Sequence, residues 1–329
     1  MFWFGVVLAV LIGTVAVSYL VEALRRRPAP PAQLAWWPGT PIRSLDVDGV
    51  RLRYIVAGQG PALVLLHTLR TQLDIFQKIL PTLAARFRVY ALDYPGHGWS
   101  DIPGGRYDAE FFVAAVSKAL DRLDLRDAIV VGESIGGSIA LLLAARHHPR
   151  VRAVVAINPY DYDRGRGLRR SSALANLIFG LNDVPVLGAT VNRLRSRPVV
   201  TRLFQGGVRR QGAIPPALDR EMYVVGNRPG YSQGIASLVH HWGTWEDIRE
   251  AYGAIDRPVL LLYGDHDWSH EDERAADARA IPGAELRVIR EAGHFLSLDA
   301  PDELLAVLVP WLSRVHGVAG TPPPVPSGS

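Results

Sequence analysis

Short apolar runs alternate with longer amphipathic stretches over most of this 329-residue chain. Runs of strand length predict strands at about 43–48, 51–57, 62–66, 88–92, 128–132, 152–157, 258–263 and 285–290. Helical periodicity lies between them, for example over 109–123, 136–146 and 301–315. Alternating strands and helices are typical of an α/β protein whose mostly parallel sheet is covered by helices on both faces. We therefore predict an eight-stranded sheet of this kind, with an antiparallel pair at its start.

The strand pattern is absent between residues 158 and 255. This stretch contains helical pieces such as 171–179 and 217–225, with Gly and Pro residues between them. We interpret it as a helical insertion within an otherwise regular α/β domain.

The first 21 residues contain no charged side chain. As a helix, such a stretch spans roughly 30 Å, which is the thickness of the bilayer hydrocarbon. Trp3 and Tyr19 lie near its ends, and Arg25–Arg27 follow it. A signal peptide, which would carry its positive charge before a shorter apolar core, and a helix buried in the globular domain are the alternatives. We predict a single-pass membrane anchor, with the following domain in the cytoplasm by the positive-inside rule.

The composition divides the rest of the chain. The Pro-rich stretch with Trp36 and Trp37 predicts a linker or a collar at the membrane surface, and the last residues predict a disordered tail. The expected units are an anchor at 1–24, a linker at 25–41, a first core half at 42–157, the helical insertion at 158–255, a second core half at 256–316 and the tail at 317–329.

Charge and cysteine content limit the possible partners. The net charge of +4 is mild, and much of the arginine excess lies in 25–27 and 164–210. This distribution suits anionic lipid better than nucleic acid, and no basic module interleaved with aromatic residues is present. The chain has no cysteine, so no disulfide can form.

The segment from Gly132 to Gly136 carries the most informative chemistry. It reads Gly-Glu-Ser-Ile-Gly, follows the apolar run 128–132 and enters a helical run. A G-x-S-x-G sequence between a strand and a helix is a nucleophile elbow, a turn that presents its serine above the sheet. Ser134 is therefore the candidate nucleophile.

A serine hydroxyl needs a base, and the base needs a group that orients it. In this architecture the acid and then the histidine follow the serine along the chain. The strand-like run 258–263 is followed by Gly264-Asp265-His266-Asp267, and the run 285–290 is followed by Glu291-Ala-Gly-His294. His294 is the candidate base, and an aspartate after residue 264 is the candidate acid.

Together with the segments Leu63–His67 and Val89–Asp101, these motifs resemble those of α/β-hydrolase-fold enzymes over roughly residues 42–315. The resemblance implies that Asp267, the third residue after Gly264, is the catalytic acid, with Asp265 as the fallback. It also implies that the helical insertion at 158–255 is a cap over the nucleophile, which excludes water and shapes the substrate pocket.

The resemblance further implies an oxyanion hole made by the backbone N–H groups of Leu69 and Ile135. Here the chain departs from the family, because Thr68 stands where a glycine is usual and threonine resists positive φ. The neighbouring Arg70 is expected to be solvated or ion-paired, although it could contact a substrate carboxylate.

Other polar residues near these motifs are expected to be structural. His67, His97 and Asp93 are expected to brace loops and turns, and Glu133 is expected to pack or to form hydrogen bonds. We expect neither a cofactor nor a metal, because the dense Asp265–His270 segment is already explained by the acid turn.

The sequence therefore predicts a membrane-anchored serine hydrolase that cleaves a hydrophobic carboxylic ester through an acyl-enzyme. The same triad would serve a lactonase, an amidase, a C–C bond hydrolase or a cofactor-free haloperoxidase-like enzyme. Epoxide hydrolase and haloalkane dehalogenase chemistry is disfavoured, because those relatives place aspartate where Ser134 stands. The alternative of another class is a non-catalytic, membrane-tethered binding protein on a retained hydrolase fold.

Overall fold

The computed structural model describes residues 1–317, so the predicted tail lies outside the described residues except for Gly317. A single sheet forms its centre. Its strands are β1 (Ile42–Val47), β2 (Val50–Ala57), β3 (Ala62–Leu66), β4 (Arg88–Leu92), β5 (Ala128–Glu133), β6 (Val151–Ile157), β7 (Val259–Gly264) and β8 (Glu285–Ile289).

Helices connect these strands, and they also form an N-terminal helix and an insertion between β6 and β7. The helices are α1 (Phe2–Ala23), α2 (Leu80–Ala84), α3 (Ala109–Arg122), α4 (Ile135–Ala145), α5 (Ala173–Leu181), α6 (Pro185–Arg193), α7 (Arg197–Gln205), α8 (Pro216–Val225), α9 (Tyr231–His240), α10 (Thr244–Asp247), α11 (Glu271–Ala280), α12 (Leu296–Asp299) and α13 (Pro301–His316). Short 3₁₀ helices occupy Leu73–Lys78, Asp163–Gly165, Gly167–Ser171 and Ile248–Ala254.

The sheet has the strand order β1-β2-β4-β3-β5-β6-β7-β8. The β1–β2 and β2–β4 pairs are antiparallel, and the pairs from β4 to β8 are parallel. The predicted α/β class and the eight strands are thus confirmed. Because the carboxyl ends of parallel strands meet at one edge, the loops after β3, β5, β7 and β8 converge there.

Burial follows from the apolar composition of the central strands. Every residue of β5 and β7 is buried, as expected of strands covered on both faces. Helix α4 is buried along its whole length and packs against β3, β5 and β6. Its first turn approaches β3 so closely that a Cβ on Gly136 would lie 2.2 Å from the carbonyl oxygen of Leu66.

The segment between β6 and β7 contains helices α5 to α10 and no strand among its described residues. Its last part, the 3₁₀ helix Ile248–Ala254, packs against α4 of the sheet domain. The helices from α5 to α9 therefore form the separate layer, which we call the cap.

Helix α1 is 22 residues long, and its most apolar window has a mean hydropathy of 2.4 with 6% of it buried. The prediction of a long apolar helix is confirmed, and its exposure argues against a helix buried in the globular domain. Length and composition leave two uses for it, a membrane anchor or a signal sequence. The helix contacts α6 of the cap, and Ser18 is its one fully buried residue.

The stretch at 25–41 is packed more closely than a linker. Leu34 is buried, and the indole Nε1 of Trp36 donates a hydrogen bond of 2.7 Å to Asp74. Asp74 also accepts from Arg53 of β2 at 2.8 Å. The stretch is therefore held on the sheet domain by a core leucine and by a buried ionic network.

Substituting the glycine at the start of α4 tests this packing. Gly136→Ala should lower the free energy of unfolding by about 3 kcal/mol, because its Cβ would overlap rigid backbone of β3. Gly234→Ala in α9 is the matched control, since its Cβ would lie 3.4 Å from Tyr107 and alanine favours helix. Urea unfolding of the full chain in detergent micelles measures both. Equal effects of the two substitutions would contradict the account of the close approach.

Candidate active site

Ser134 lies in the turn between β5 and α4. Its backbone has φ 59° and ψ −123°, an unfavourable conformation for a residue with a Cβ. Glycines make the turn possible, because a Cβ on Gly132 would lie 2.0 Å from the carbonyl oxygen of Gly136. The N–H of Ser134 donates to the carbonyl of Ile157 at 2.8 Å, which ties the turn to β6. The predicted elbow is therefore present in its full geometry.

His294 lies in the loop after β8 and faces Ser134. Its Nε2 is 2.8 Å from Ser134 Oγ, and its Nδ1 is 2.5 Å from Asp267 Oδ1. The backbone carbonyl of His294 accepts from the side-chain amide of Asn158 at 2.8 Å, which fixes the loop. The three residues predicted from the sequence thus form one continuous chain of hydrogen bonds.

Asp267 is buried, and three donors surround its carboxylate. Its Oδ2 accepts from the N–H of Ser269 at 2.9 Å and from the hydroxyl of the same residue. Burial pushes the pKa of Asp267 upward, but the charge and hydrogen bond of His294 and the bonds from Ser269 outweigh it and hold the pKa below its ordinary value. The carboxylate therefore stays charged at neutral pH and faces the imidazole.

Asp265, the fallback acid, points elsewhere. It is exposed, accepts from the N–H of Ala292 at 3.2 Å and makes no hydrogen bond with His294 among the described contacts. One oxygen of its carboxylate lies within 4.8 Å of a possible metal-ligand atom of His266 and of one of Glu291. All three residues are exposed, and exposed acidic groups of this kind are common in proteins without a bound metal ion.

Trp268 is a site residue that the sequence analysis missed. Its ring stacks on the imidazole of His294 with centroids 3.8 Å apart and an interplanar angle of 12°. Its indole N–H donates to the carbonyl of Gly206 in the cap at 2.9 Å. The one sign of this role in the sequence is that Trp268 directly follows Asp267. A tryptophan in a turn does not by itself indicate that it stacks on a histidine from another loop.

The loop after β3 avoids the expected conflict at Thr68. Among the described non-glycine residues with positive φ, the loop contributes Arg70 at 58°, and Thr68 is not one of them. The carbonyl of Thr68 accepts from the hydroxyl of Thr71 at 2.8 Å and contacts His67 Nδ1 at 2.7 Å. The family's glycine is thus unnecessary here, because the left-handed residue lies two positions later.

Leu69 and Ile135 lie on either side of the nucleophile. Leu69 lines the same cavity as Ser134, and Ile135 is the first residue of α4, where helix N–H groups have no partner within the helix. No hydrogen bond from either backbone N–H to another segment is found in the described part of the chain.

Glu133 forms hydrogen bonds rather than lining the site. Its two carboxylate oxygens accept from the N–H of Ser297 at 3.0 Å and from its hydroxyl at 2.7 Å. Burial raises the pKa of Glu133 to about 7. The residue next to the nucleophile thus holds α12, which directly follows the His294 loop.

The remaining predicted structural residues brace the surrounding loops. Asp93 accepts from the N–H groups of Leu73 at 2.7 Å and Trp99 at 2.8 Å. Burial lowers the pKa of His67 and of His97 to about 3, so both imidazoles are neutral.

An apolar cavity of about 490 Å³, partly open to solvent, lies between the sheet domain and the cap, and Ser134 lines it. The other lining residues are Thr68, Leu69, Arg70, Tyr160, Leu168, Phe179, Val200, Leu203, Phe204, Trp268 and Phe295. Two of these, Leu168 and Phe179, belong to the helical insertion between β6 and β7. Other apolar residues of the same insertion, Leu177, Val184 and Val186, are exposed on the cap surface.

Comparison with known proteins gives a consistent result. Residues 61–301 match the family model described as alpha/beta hydrolase fold. The magnesium-chelatase 30 kDa subunit of Rhodobacter capsulatus is 29% identical over 306 residues, covering 89% of this chain and 95% of that protein. Epoxide hydrolase 4 of Mus musculus is 26% identical over 270 residues, covering 78% of this chain and 74% of that protein.

A solved structure of a membrane phospholipase A, described as a bacterial virulence factor, has a TM-score of 0.70 at 21% identity. It covers 96% of this chain and 98% of its own. A match over 96% of this 329-residue chain is possible only if it includes part of the 22-residue helix α1. The likeness of fold thus extends beyond the sheet domain.

The pKa of Glu133 predicts a dependence of stability on pH. Because it lies at about 7 in the fold against an ordinary value of 4.5, the folded chain binds more protons than the unfolded chain between these values. Glu133 therefore lowers the stability of the fold as the pH rises through this window. Glu133→Gln stays neutral, so its free energy of unfolding relative to wild type should increase from about pH 4.5 to 7 and then level off.

Urea unfolding at a series of pH values measures this difference, with the exposed Glu271→Gln as the control. A Glu133→Gln difference that stays constant across the window would show that this carboxyl does not titrate there.

Proposed function

Since the chain belongs to the alpha/beta hydrolase fold family, we propose that it is a serine hydrolase that cleaves a hydrophobic carboxylic ester. The observation that carries the proposal is the chain of hydrogen bonds from Ser134 through His294 to Asp267, at 2.8 Å and 2.5 Å. The distance of 2.8 Å between Ser134 Oγ and His294 Nε2 lies within the range in which a general base takes a proton from its nucleophile.

In the proposed reaction, Ser134 Oγ attacks the ester carbonyl carbon while His294 Nε2 takes its proton. The charged Asp267 carboxylate then stabilises the imidazolium, and the stacked Trp268 ring adds a cation–π contribution. His294 returns the proton to the leaving alcohol, which leaves an acyl group on Ser134. A water molecule, deprotonated by His294, then attacks the acyl carbon. The bond from this carbon to Ser134 Oγ breaks, His294 returns the proton to Oγ, and the acid is released.

The negative charge of the tetrahedral intermediate needs donors that are already in place. We assign this role to the N–H groups of Leu69 and Ile135, which flank the nucleophile. Backbone donors do not depend on side-chain identity, and Thr68 leaves the loop backbone free of the conflict expected from the sequence. The N-terminus of α4 adds a partial positive charge at the same point.

The apolar cavity supports a hydrophobic substrate. Its phenylalanine and leucine side chains suit an alkyl or aryl group next to the ester. The cap contributes Val200, Leu203 and Phe204 from α7, so the cap and the sheet domain share the pocket.

Two other kinds of function fit the site less well than ester hydrolysis. Epoxide opening is not proposed, because that chemistry uses an aspartate at the position of Ser134. The second is a non-catalytic binding role on the same fold, and the Rhodobacter capsulatus relative is named as a magnesium-chelatase subunit and not as a hydrolase. A binding role alone does not require a serine held at φ 59° in line with a histidine and a buried aspartate.

We further propose that α1 is a membrane anchor rather than a cleaved signal. Glu22 at its end pairs with Arg195 of the cap at 2.8 Å, and Arg25 donates to Asn227 at 3.0 Å and to the carbonyl of Arg193 at 2.6 Å. Removal of α1 would leave Arg195, which is 9% exposed, without its carboxylate. An unpaired buried charge is strongly unfavourable, so the mature protein is expected to keep this helix.

The same contacts support a proposal about which part of the domain faces the bilayer. Leu177, Val184, Val186 and Leu194 are exposed apolar residues of the cap close to α6, which packs on α1. We propose that this cap surface lies at the membrane, where a hydrophobic ester can enter from the lipid. The exposed arginines that follow α1 favour a cytoplasmic domain, and C-terminal reporter fusions that function only outside the cytoplasm would contradict this orientation.

Ser134→Ala tests the proposed reaction. A fluorophosphonate probe should label the wild type and leave Ser134→Ala unlabelled, and hydrolysis of nitrophenyl esters should fall by roughly 10⁴-fold or more. Ser44→Ala, on the exposed strand β1, is the control and should behave like the wild type. A folded wild type that is inert to the probe, or equal labelling of Ser134→Ala, would exclude a Ser134 hydrolase.

Glu22→Gln tests the contact between anchor and cap. Loss of the carboxylate should lower the free energy of unfolding by roughly 1–3 kcal/mol, because Arg195 loses its charged partner. The exposed Arg26→Gln is the matched control and should change stability by less than about 0.5 kcal/mol. Denaturant unfolding of the full chain in detergent micelles compares them. Indistinguishable curves would mean that α1 does not rest on the cap.

A further inference from the structure

Arg70 is the one charged residue among those that line the cavity around Ser134. It directly follows Leu69, and its own backbone lies in the left-handed region at φ 58°. Such a conformation costs a non-glycine residue about 1 kcal/mol or more, so the surrounding loop must hold it in place. The brace is the carbonyl of Thr68, which accepts from the hydroxyl and the N–H of Thr71.

The guanidinium of Arg70 has no acceptor in the described part of the chain. Its Nε is buried and makes no hydrogen bond, and no carboxylate lies within ion-pair distance. The sequence predicts a solvated or an ion-paired arginine here, and the described residues provide no ion pair for Arg70. By contrast, the buried Arg53 and Arg195 both pair with carboxylates at 2.8 Å.

The cavity wall offers an anion no competing negative charge. Apart from Arg70, its lining consists of neutral and mostly apolar side chains. An arginine at the edge of such a low-dielectric space attracts an anion more strongly than an arginine in water does. Its planar fork of donors matches a carboxylate or a phosphate with two parallel hydrogen bonds.

We propose that Arg70 binds an anionic group of the substrate, so that the enzyme selects amphiphilic esters that carry a carboxylate or a phosphate close to the scissile bond. The inference rests on the proposed esterase function and narrows its substrate class. The apolar part of the ester occupies the pocket under α7, and the anion lies beside Leu69, at the Arg70 side of the cavity. Arg70 acts as a specificity residue and takes no part in proton transfer.

Matched pairs of esters test this proposal with the full chain in neutral detergent micelles. One pair is a 4-acyloxybenzoate and its methyl ester, and the other is a 4-acyloxyphenyl phosphate and its dimethyl ester. Arg70→Met should lower kcat/KM about tenfold to a hundredfold for the charged member of at least one pair and leave the neutral members unchanged. Arg70→Lys should retain part of the preference, because it keeps the charge and loses the fork.

The two pairs distinguish the two anions, since an effect confined to one pair identifies its group. Arg43→Met removes the same charge from the exposed strand β1 and should leave all four rates unchanged. If Arg70→Met changes charged and neutral esters equally, or changes neither, the proposal is wrong.

A binding measurement separates failure of this proposal from failure of the esterase proposal. Decanoate and decyl phosphate, compared with decanol, are titrated into Ser134→Ala while the tryptophan fluorescence of the chain, to which Trp268 in the cavity wall contributes, is followed. Tighter binding of an anion that disappears in the double variant with Arg70→Met supports the anion site even if the wild type hydrolyses no ester. Equal binding of decanol and both anions would overturn it.

Discussion

The hydrogen bond between Ser134 Oγ and His294 Nε2 is the interaction on which the functional account depends. Its partners are 160 residues apart, and only the sheet brings them together. The parallel order β3-β5-β6-β7-β8 sends the loops after four strands to one edge. Each loop contributes one part of the candidate site: a proposed oxyanion donor, the proposed nucleophile, the proposed acid and the proposed base. The site is thus a consequence of strand order more than of any local motif.

Much of the fold and of the candidate site could be predicted from the sequence, because strands and the turn at Ser134 are encoded by short stretches of neighbouring residues. Buried parallel strands are short apolar runs, and the G-x-S-x-G turn has a steric reason for its glycines, as the contact at Gly132 illustrates. Thr68 was misjudged, since the sequence does not reveal that Arg70 takes the left-handed position. Trp268 was missed because stacking on His294 joins two loops. The packing of residues 25–41 was also unforeseen, since it depends on the distant Asp74.

The cap links helix α1 to the candidate triad. Arg195, just after α6, pairs with Glu22 of α1, and the next helix, α7, supplies part of the cavity wall. Gly206, just after α7, accepts the indole hydrogen bond of Trp268, whose ring covers the candidate base. A continuous path of contacts therefore runs from α1 to the imidazole of His294. In the proposed enzyme, this path holds the pocket against both the membrane and the triad.

The crystal structure of the full chain after reaction with an alkyl fluorophosphonate tests the central claim most directly. The account predicts a phosphorus atom bonded to Ser134 Oγ, its phosphoryl oxygen within hydrogen-bond distance of the N–H groups of Leu69 and Ile135, and His294 still joined to Asp267. An adduct on another residue, or a phosphoryl oxygen turned away from both N–H groups with His294 rotated out of reach, would contradict it.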